Sequence, residues 1–368
     1  MARIEIPSVC AWIFPKVREE WRGDKPMKKP LSDRDIELLL SEPTPGAVAA
    51  VRDLPGDFMV LGVGGKMGTT TAVMLRRALD AAGRKSARVL GVSRFSRPEA
   101  KAALAEFGVE PISCDLADYD AVMRLPDAAN VEYLAGQKFG TEGAPDETWL
   151  QNTIVPSHVA RRFRDSRIVV FSTGCVYPFS PVEGRGATEA TPLAFLGEYA
   201  STCVGRERVF THYSRKYGTK ALLFRLNYSV EFRYGVLVDI GQRVLAGEPV
   251  DITMNLFNLI WQREACARAI QCLEQVASPP RPLNVTGAEK YTIRDVAERF
   301  GRIFGRPPVI TGTPGAVCWH SDASESIRLF GPTEMPLDTM IGLVADHLSG
   351  GGRLLGKPTH FEATDGKF

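Results

Sequence analysis

One short segment constrains this chain more than any other. The run Gly62-Val63-Gly64-Gly65-Lys66-Met67-Gly68 lies directly between an apolar run, Phe58-Met59-Val60-Leu61, and a stretch with helical patterning from about Thr70 to Ala82. Strand, glycine loop and helix in that order make a dinucleotide fingerprint, which a loose glycine pattern alone would not. The first glycine permits the tight turn, and the middle ones let the backbone approach a pyrophosphate. Gly68 lets helix and strand pack closely, with the helix N-terminus facing the anion.

The surrounding pattern agrees. Strand-like runs at Ala87 to Val92, Glu110 to Ser113, Val131 to Ala135, Arg167 to Phe171 and Ala221 to Leu226 alternate with helical stretches at Ala100 to Phe107, Thr148 to Arg164 and Glu198 to Tyr217. Such alternation is the signature of βαβ units on a parallel sheet. Beyond it, Leu237 to Leu245, Arg263 to Gln275 and Ile293 to Phe304 read as helices in a less regular region. The expected fold class is therefore α/β: a Rossmann-type doubly wound parallel sheet with a smaller, irregular C-terminal substrate-binding region. We divide it into an N-terminal extension (1–55), a dinucleotide-binding domain (56–230) and a mainly substrate-binding region (231–368) interleaved with that domain. The extension reads as an appendage with mixed charges, Pro26, Pro30, Pro43 and Pro45, and one short helix, Asp33 to Ser41, that Ser32 can cap.

Charge narrows the partner. Forty-five basic and forty-three acidic residues leave a net charge of +2, with no electrostatic footprint for nucleic acid or an anionic membrane. No apolar run approaches the roughly 20 residues of a membrane span, and Arg3 and Glu5 interrupt the place of a signal-peptide core. The expectation is a cytoplasmic protein with a small-molecule partner, and a homodimer as the candidate oligomer. The seven cysteines are odd in number, dispersed and without a Cys-x-x-Cys pair, so they support neither a disulfide framework nor a zinc site. The five histidines show no metal spacing either.

At the end of the second strand an NAD site would place an acid for the ribose, but the chain reads Val92-Ser93-Arg94-Phe95-Ser96. Arg94, with Ser93 and Ser96, suits a 2′-phosphate, so the cofactor is expected to be NADP or NAD, with NADP favoured. Asp115 and Leu116 follow the third strand, where they can touch the adenine, although an Asp in a loop is as often a turn former.

From Asp57 to about Gly350 the chain resembles the extended short-chain dehydrogenase/reductase family, the NAD(P)-dependent sugar epimerases, dehydratases and reductases. Gly62, Gly65 and Gly68 match its Gly-x-x-Gly-x-x-Gly loop, and Cys114-Asp115-Leu116-Ala117-Asp118 its adenine segment. Leu134-Ala135-Gly136 is similar to the segment lining the cofactor after the fourth strand. Ser172-Thr173-Gly174-Cys175-Val176-Tyr177 is similar to the fifth-strand segment with the catalytic hydroxyl, a role that the resemblance gives to Thr173. Glu198-Tyr199 approaches the family's Tyr-x-x-x-Lys. Phe224-Arg225-Leu226-Asn227 and Pro282 to Gly287 resemble its substrate-region motifs. The resemblance implies hydride transfer at a carbinol carbon of a sugar, sugar nucleotide or sugar derivative. Its residues are catalytic Tyr199, Thr173 and Cys203, cofactor contacts that include Lys66 and Met67, and substrate contacts from Cys175, Arg225, Asn227 and Trp261.

One departure matters. In the family a Lys one helical turn after the Tyr lowers its pKa and holds the nicotinamide ribose, and here Tyr199-Ala200-Ser201-Thr202-Cys203 has a cysteine there. Three explanations stay open: a cation arrives from elsewhere, Tyr199 works chiefly as a proton donor, or the chain is an NAD(P)-binding sensor or scaffold without turnover. Gly174-Cys175 also departs from the Asp-Glu of sugar-nucleotide 4,6-dehydratases, which counts against that reaction.

Overall fold

The computed structural model describes residues 30–363. Seven strands, β1 (Phe58–Leu61), β2 (Val89–Ser93), β3 (Glu110–Ser113), β4 (Asn130–Tyr133), β5 (Arg167–Thr173), β6 (Lys220–Leu226) and β7 (Arg281–Val285), form one sheet. Their order is β7-β6-β5-β4-β1-β2-β3, and every pair is parallel. Side chains of β1 alternate between the two faces: Phe58 and Val60 enter one apolar cluster, Met59 and Leu61 the other. The doubly wound fold expected from the sequence is the one observed.

The order reverses at β1, whose neighbours are β2 and β4, so a crevice opens at the carboxyl ends of these strands. Gly62, Arg94, Leu134, Thr173 and Asn227 all stand at or just beyond those ends.

Helix α1 (Asp33–Leu40) is capped by Ser32, which accepts from the Asp35 amide at 3.2 Å, and α2 (Pro45–Asp53) by Thr44. The described half of the N-terminal extension is not an appendage. Ile36, Leu40, Ala47 and Val51 recur at helical spacing and are fully buried in the two main cores. The loop before α3 (Lys66–Ala81) brings in the glycines, and α4 (Pro98–Glu106) follows β2.

The helix expected from Thr148 to Arg164 is observed as α5 (Pro145–Trp149), a π-helical turn at Leu150–Ile154, and α6 (Val155–Arg162). Pro156 has no N–H to donate to the carbonyl of Asn152, and the helix widens there. The wide turn presents the buried Asn152 amide to Gln137: it accepts from the Gln137 amide at 2.9 Å and donates to its carbonyl at 2.8 Å.

Helix α7 (Gly197–Tyr217) is closed by Gly218 at φ +75°, in the left-handed region. The C-terminal region packs α8 (Val236–Ala246), α10 (Ile293–Phe304) and α11 (Leu337–Ser349) around their own core, while α9 (Gln262–Cys272) packs on α2 and α3. The chain after α11 turns back over it: the Leu355 amide donates to the Arg233 carbonyl at 3.1 Å, the Thr359 amide to Asp239 at 2.7 Å, and Phe361 is buried.

Candidate active site

At two of its glycines the loop leaves no room for a side chain. Gly62 has φ +91°, and a Cβ there would lie 2.7 Å from the Ala135 amide nitrogen; one on Gly68 would lie 2.4 Å from the Gly62 carbonyl oxygen. Gly65 is the N-cap of α3 and supplies no side-chain cap, so the first amides of this helix are left for an anion.

Two cavities meet at this loop, sharing Gly62, Gly65, Leu134 and Gly136. The first, about 640 Å³, is bounded by Ser93, Arg94, Phe95, Ser96 and Arg97 after β2, by Asp115 and Leu116 after β3, and by Ala135. All the residues that the sequence assigned to the adenosine half are thus together. Arg97, at the start of α4, is an addition: a surface arginine beside a proline carries no local signal. Asp115 also accepts from the Ala117 amide at 3.0 Å, a turn-forming bond.

The second cavity, about 300 Å³, is bounded by Lys66 and Met67 of the loop, Thr173 and Cys175 after β5, Tyr199 on α7 and Asn227 after β6. Lys138, Phe139, Tyr228, Tyr234 and Trp319 line it as well, with Lys357 and Thr359 from the C-terminal segment. The Thr173 hydroxyl is a hydrogen-bond partner of the Tyr199 hydroxyl. Burial pushes the Tyr199 phenol well above its ordinary value, and Cys203 and Cys175 add to this; Arg206 and the Thr173 bond act against it. The balance of these effects favours the neutral phenol.

Cys203 is fully buried among Val176, Tyr177 and Ala187, where burial pushes its thiol up to about 11. It is a hydrogen-bond neighbour of Tyr199 and does not line the cavity. All six cysteines of the described residues are free; Cys10 lies outside them. Two cations stand on the elements around the site. Arg206, one turn after Cys203, donates to the Phe171 carbonyl at 2.9 Å and to Asn152 at 2.5 Å, and a Cβ on Gly136 would lie 2.2 Å from its guanidinium. Lys66 donates to the Ser229 carbonyl at 2.8 Å, with its ammonium 3.9 Å from the centre of the Tyr234 ring.

Two of the expected substrate residues are not on the wall. Arg225 is turned into the core, where it makes a two-point ion pair with Glu207 (Nε to Oε1 2.9 Å, Nη2 to Oε2 2.7 Å) and donates to the Tyr177 hydroxyl at 2.6 Å. Trp261 is fully buried, edge-on to Phe232 with ring centres 5.2 Å apart. Asn227 does reach the cavity and donates to Asn258 at 2.9 Å. Lys138, two residues past Gly136, had a signal in its position beyond the fourth strand; Tyr234 and Lys357 had none.

Among the described residues no three His, Cys, Asp or Glu side chains are grouped to hold a metal ion, and no helix is long and apolar enough to cross a membrane.

Comparison with known proteins adds three findings. The model of the NAD dependent epimerase/dehydratase family matches residues 58–254. No curated protein sequence matches the chain. Among solved structures, the chain is similar to the UDP-glucose 4-epimerase of Thermotoga maritima, determined with UDP-glucose, at 16% identity and a TM-score of 0.65, over 80% of this chain and 99% of that one. The Thermus thermophilus UDP-glucose 4-epimerase in complex with NAD gives 21%, 0.64, 80% and 99%. The Bacillus cereus UDP-glucuronic acid 4-epimerase in complex with NAD gives 16%, 0.64, 80% and 98%. At these identities the likeness is one of fold.

Proposed function

The chain belongs to the NAD dependent epimerase/dehydratase family, and from that premise we propose that it is an NAD(P)-dependent epimerase or oxidoreductase acting by hydride transfer at a carbinol carbon of a sugar or sugar derivative. The observation that carries this reading is the hydrogen-bonded pair Tyr199 and Thr173 on the wall of a cavity that runs into the glycine loop.

The residues fit a dinucleotide. The glycine backbone of the loop and the uncapped start of α3 suit its phosphates, the 640 Å³ cavity its adenosine and the 300 Å³ cavity its nicotinamide end. Arg94 and Arg97 beside Ser93 and Ser96 favour NADP. When bound, the nicotinamide supplies a hydride donor or acceptor. Tyr199 donates the proton to the substrate carbonyl oxygen, and in the other direction receives it from the hydroxyl. Thr173 holds the phenol until the substrate enters and then turns its single O–H to the same oxygen. Cys203 contributes packing, and with no lysine in its place the phenol stays protonated, which suits the donor role.

A second reading, a cofactor-binding sensor that lost turnover, rests on the same substitution at Cys203. The experiment is to follow the reduced-nicotinamide absorbance of the cofactor-loaded protein as candidate sugars are added. Tyr199→Phe should slow the change by about 10²-fold or more while cofactor affinity stays nearly intact. Full turnover in Tyr199→Phe would move the chemistry to other residues. Tight cofactor binding with no redox change on any sugar would favour the sensor.

A further inference from the structure

The charge of the nicotinamide-end cavity is one-sided. Three lysines from three distant parts of the chain stand on its wall: Lys66 from the glycine loop, Lys138 from beyond β4 and Lys357 from the C-terminal segment. No Asp or Glu of the described residues lines it. The nearest acids are spent. Glu231 accepts from the Arg233 amide at 3.0 Å and from its guanidinium at 3.3 Å; Asp239 accepts from the Thr359 amide at 2.7 Å.

The lysines are also held in place. Tyr234 serves two of them, its ring lying 3.9 Å from the Lys66 ammonium and its hydroxyl 3.4 Å from that of Lys138. Lys357 stands 5.4 Å from the centre of the Phe139 ring, on a segment that Asp239 and the buried Phe361 anchor. Among the described residues neither Lys66 nor Lys357 forms an ion pair with a carboxylate. An ammonium has three donors, and Lys66 gives one to Ser229. A half-closed cavity with several cations and no anion focuses a positive potential, which an anionic ligand relieves.

We propose that the substrate carries an anionic group, a carboxylate or a phosphate, on the sugar itself, and that Lys66, Lys138 and Lys357 form its seat. The proposal rests on the oxidoreductase reading of the same site and names its substrate class. Lys66 adds a pH signature. Burial lowers it to about 7, with Lys138 and Arg233 pressing the same way and Glu231 and Cys266 opposing. A bound anion favours its protonated form, so affinity for the anion falls as pH rises above 7.

The test is calorimetric, on the full chain saturated with cofactor, with glucuronate, inorganic phosphate and glucose as probes. Glucuronate or phosphate should bind at least tenfold tighter than glucose, and which of the two leads tells a carboxylate from a phosphate. Lys357→Met, on the surface-laid C-terminal segment, should weaken that anion tenfold or more and leave glucose unchanged. Lys66→Met, with its cofactor affinity measured alongside because Lys66 also faces the cofactor loop, should weaken the anion tenfold or more and remove the fall of glucuronate affinity above pH 7. Equal binding of charged and neutral probes overturns the proposal. So does a Lys357→Met protein that loses cofactor affinity but keeps its anion affinity, since the lysine would then serve the cofactor phosphates. Failure of the parent reading looks different: the anion preference would persist while no sugar changed the redox state of the cofactor. If only the present proposal failed, charged and neutral sugars would turn over alike, still dependent on Tyr199.

Discussion

Replacing Glu207 by Gln should destabilise the protein by about 3–5 kcal/mol, the usual cost of breaking a buried ion pair on one side. The side chains of Arg225 and Glu207 are 5% and 3% exposed and joined at two points. At charge centres about 4 Å apart, an effective dielectric of ~20 gives an attraction of about 4 kcal/mol. Gln keeps the shape but presents an NH₂ to one Arg225 donor, and it leaves the guanidinium charge with only the Tyr177 hydroxyl and the Glu189 carbonyl. The Ser172 hydroxyl, which donates to Glu207 at 2.6 Å, is weakened too. With a urea slope of ~3 kcal/mol per M, the unfolding midpoint should fall by about 1–1.7 M. The double variant Glu207→Met with Arg225→Met, which removes both charges, should recover most of the loss. A Glu207→Gln midpoint within ~0.3 M of the parent at an unchanged slope would refute the argument. The pair would then be a polar contact that water or a rearranged Arg225 replaces at little cost.

Three further outcomes are expected. Gly65→Asp should keep the fold, because Asp is a good N-cap for α3, yet cut cofactor affinity by about 100-fold or more by setting a carboxylate against the phosphates; unchanged affinity by calorimetry in the folded variant would mean that the dinucleotide lies elsewhere. Arg94→Ala should lower the preference for NADP over NAD by about tenfold, and Arg94→Ala with Arg97→Ala further, read as the ratio of the two dissociation constants; an unmoved ratio would leave both arginines as surface charges. Lys66, lowered from 10.5 to about 7, binds fewer protons folded than unfolded between those values, so its contribution to stability rises with pH over that window. Glu37, raised from 4.5 to about 7, binds more protons folded, so its contribution falls from pH 4.5 to 7. Urea midpoints should therefore show Lys66→Met gaining on the parent most near pH 7 and least towards pH 10; parallel curves would remove Lys66 from its buried place.

What was legible in the sequence is what short-range physics writes there. The glycines at 62, 65 and 68 are dictated by contacts within a seven-residue turn and with the adjoining strand end, and strand or helix follows from hydrophobic period. The run Ile293–Phe304 was therefore readable to the residue, and Ser32 as a cap from its neighbours alone. The same local logic placed Tyr199 in the first turn of α7, while the family resemblance placed Thr173 at the end of the fifth strand. Tertiary structure decided the rest, because a side chain's partner is set by which segments the fold brings side by side. Arg225 has one local signature whether it meets a ligand or Glu207, and only the packing of α7 on β6 turns it inward. Trp261 and helices α1 and α2 likewise show their burial only once neighbouring elements cover them. The charge of the cavity lined by Tyr199 is the clearest case. Lys66 meets its carbonyl partner 163 residues away, and Lys357 reaches the same wall from the far end of the chain. No spacing within the sequence encodes that meeting, since it is produced by the crossovers that bring the strand ends together and by the C-terminal segment folded back over α8.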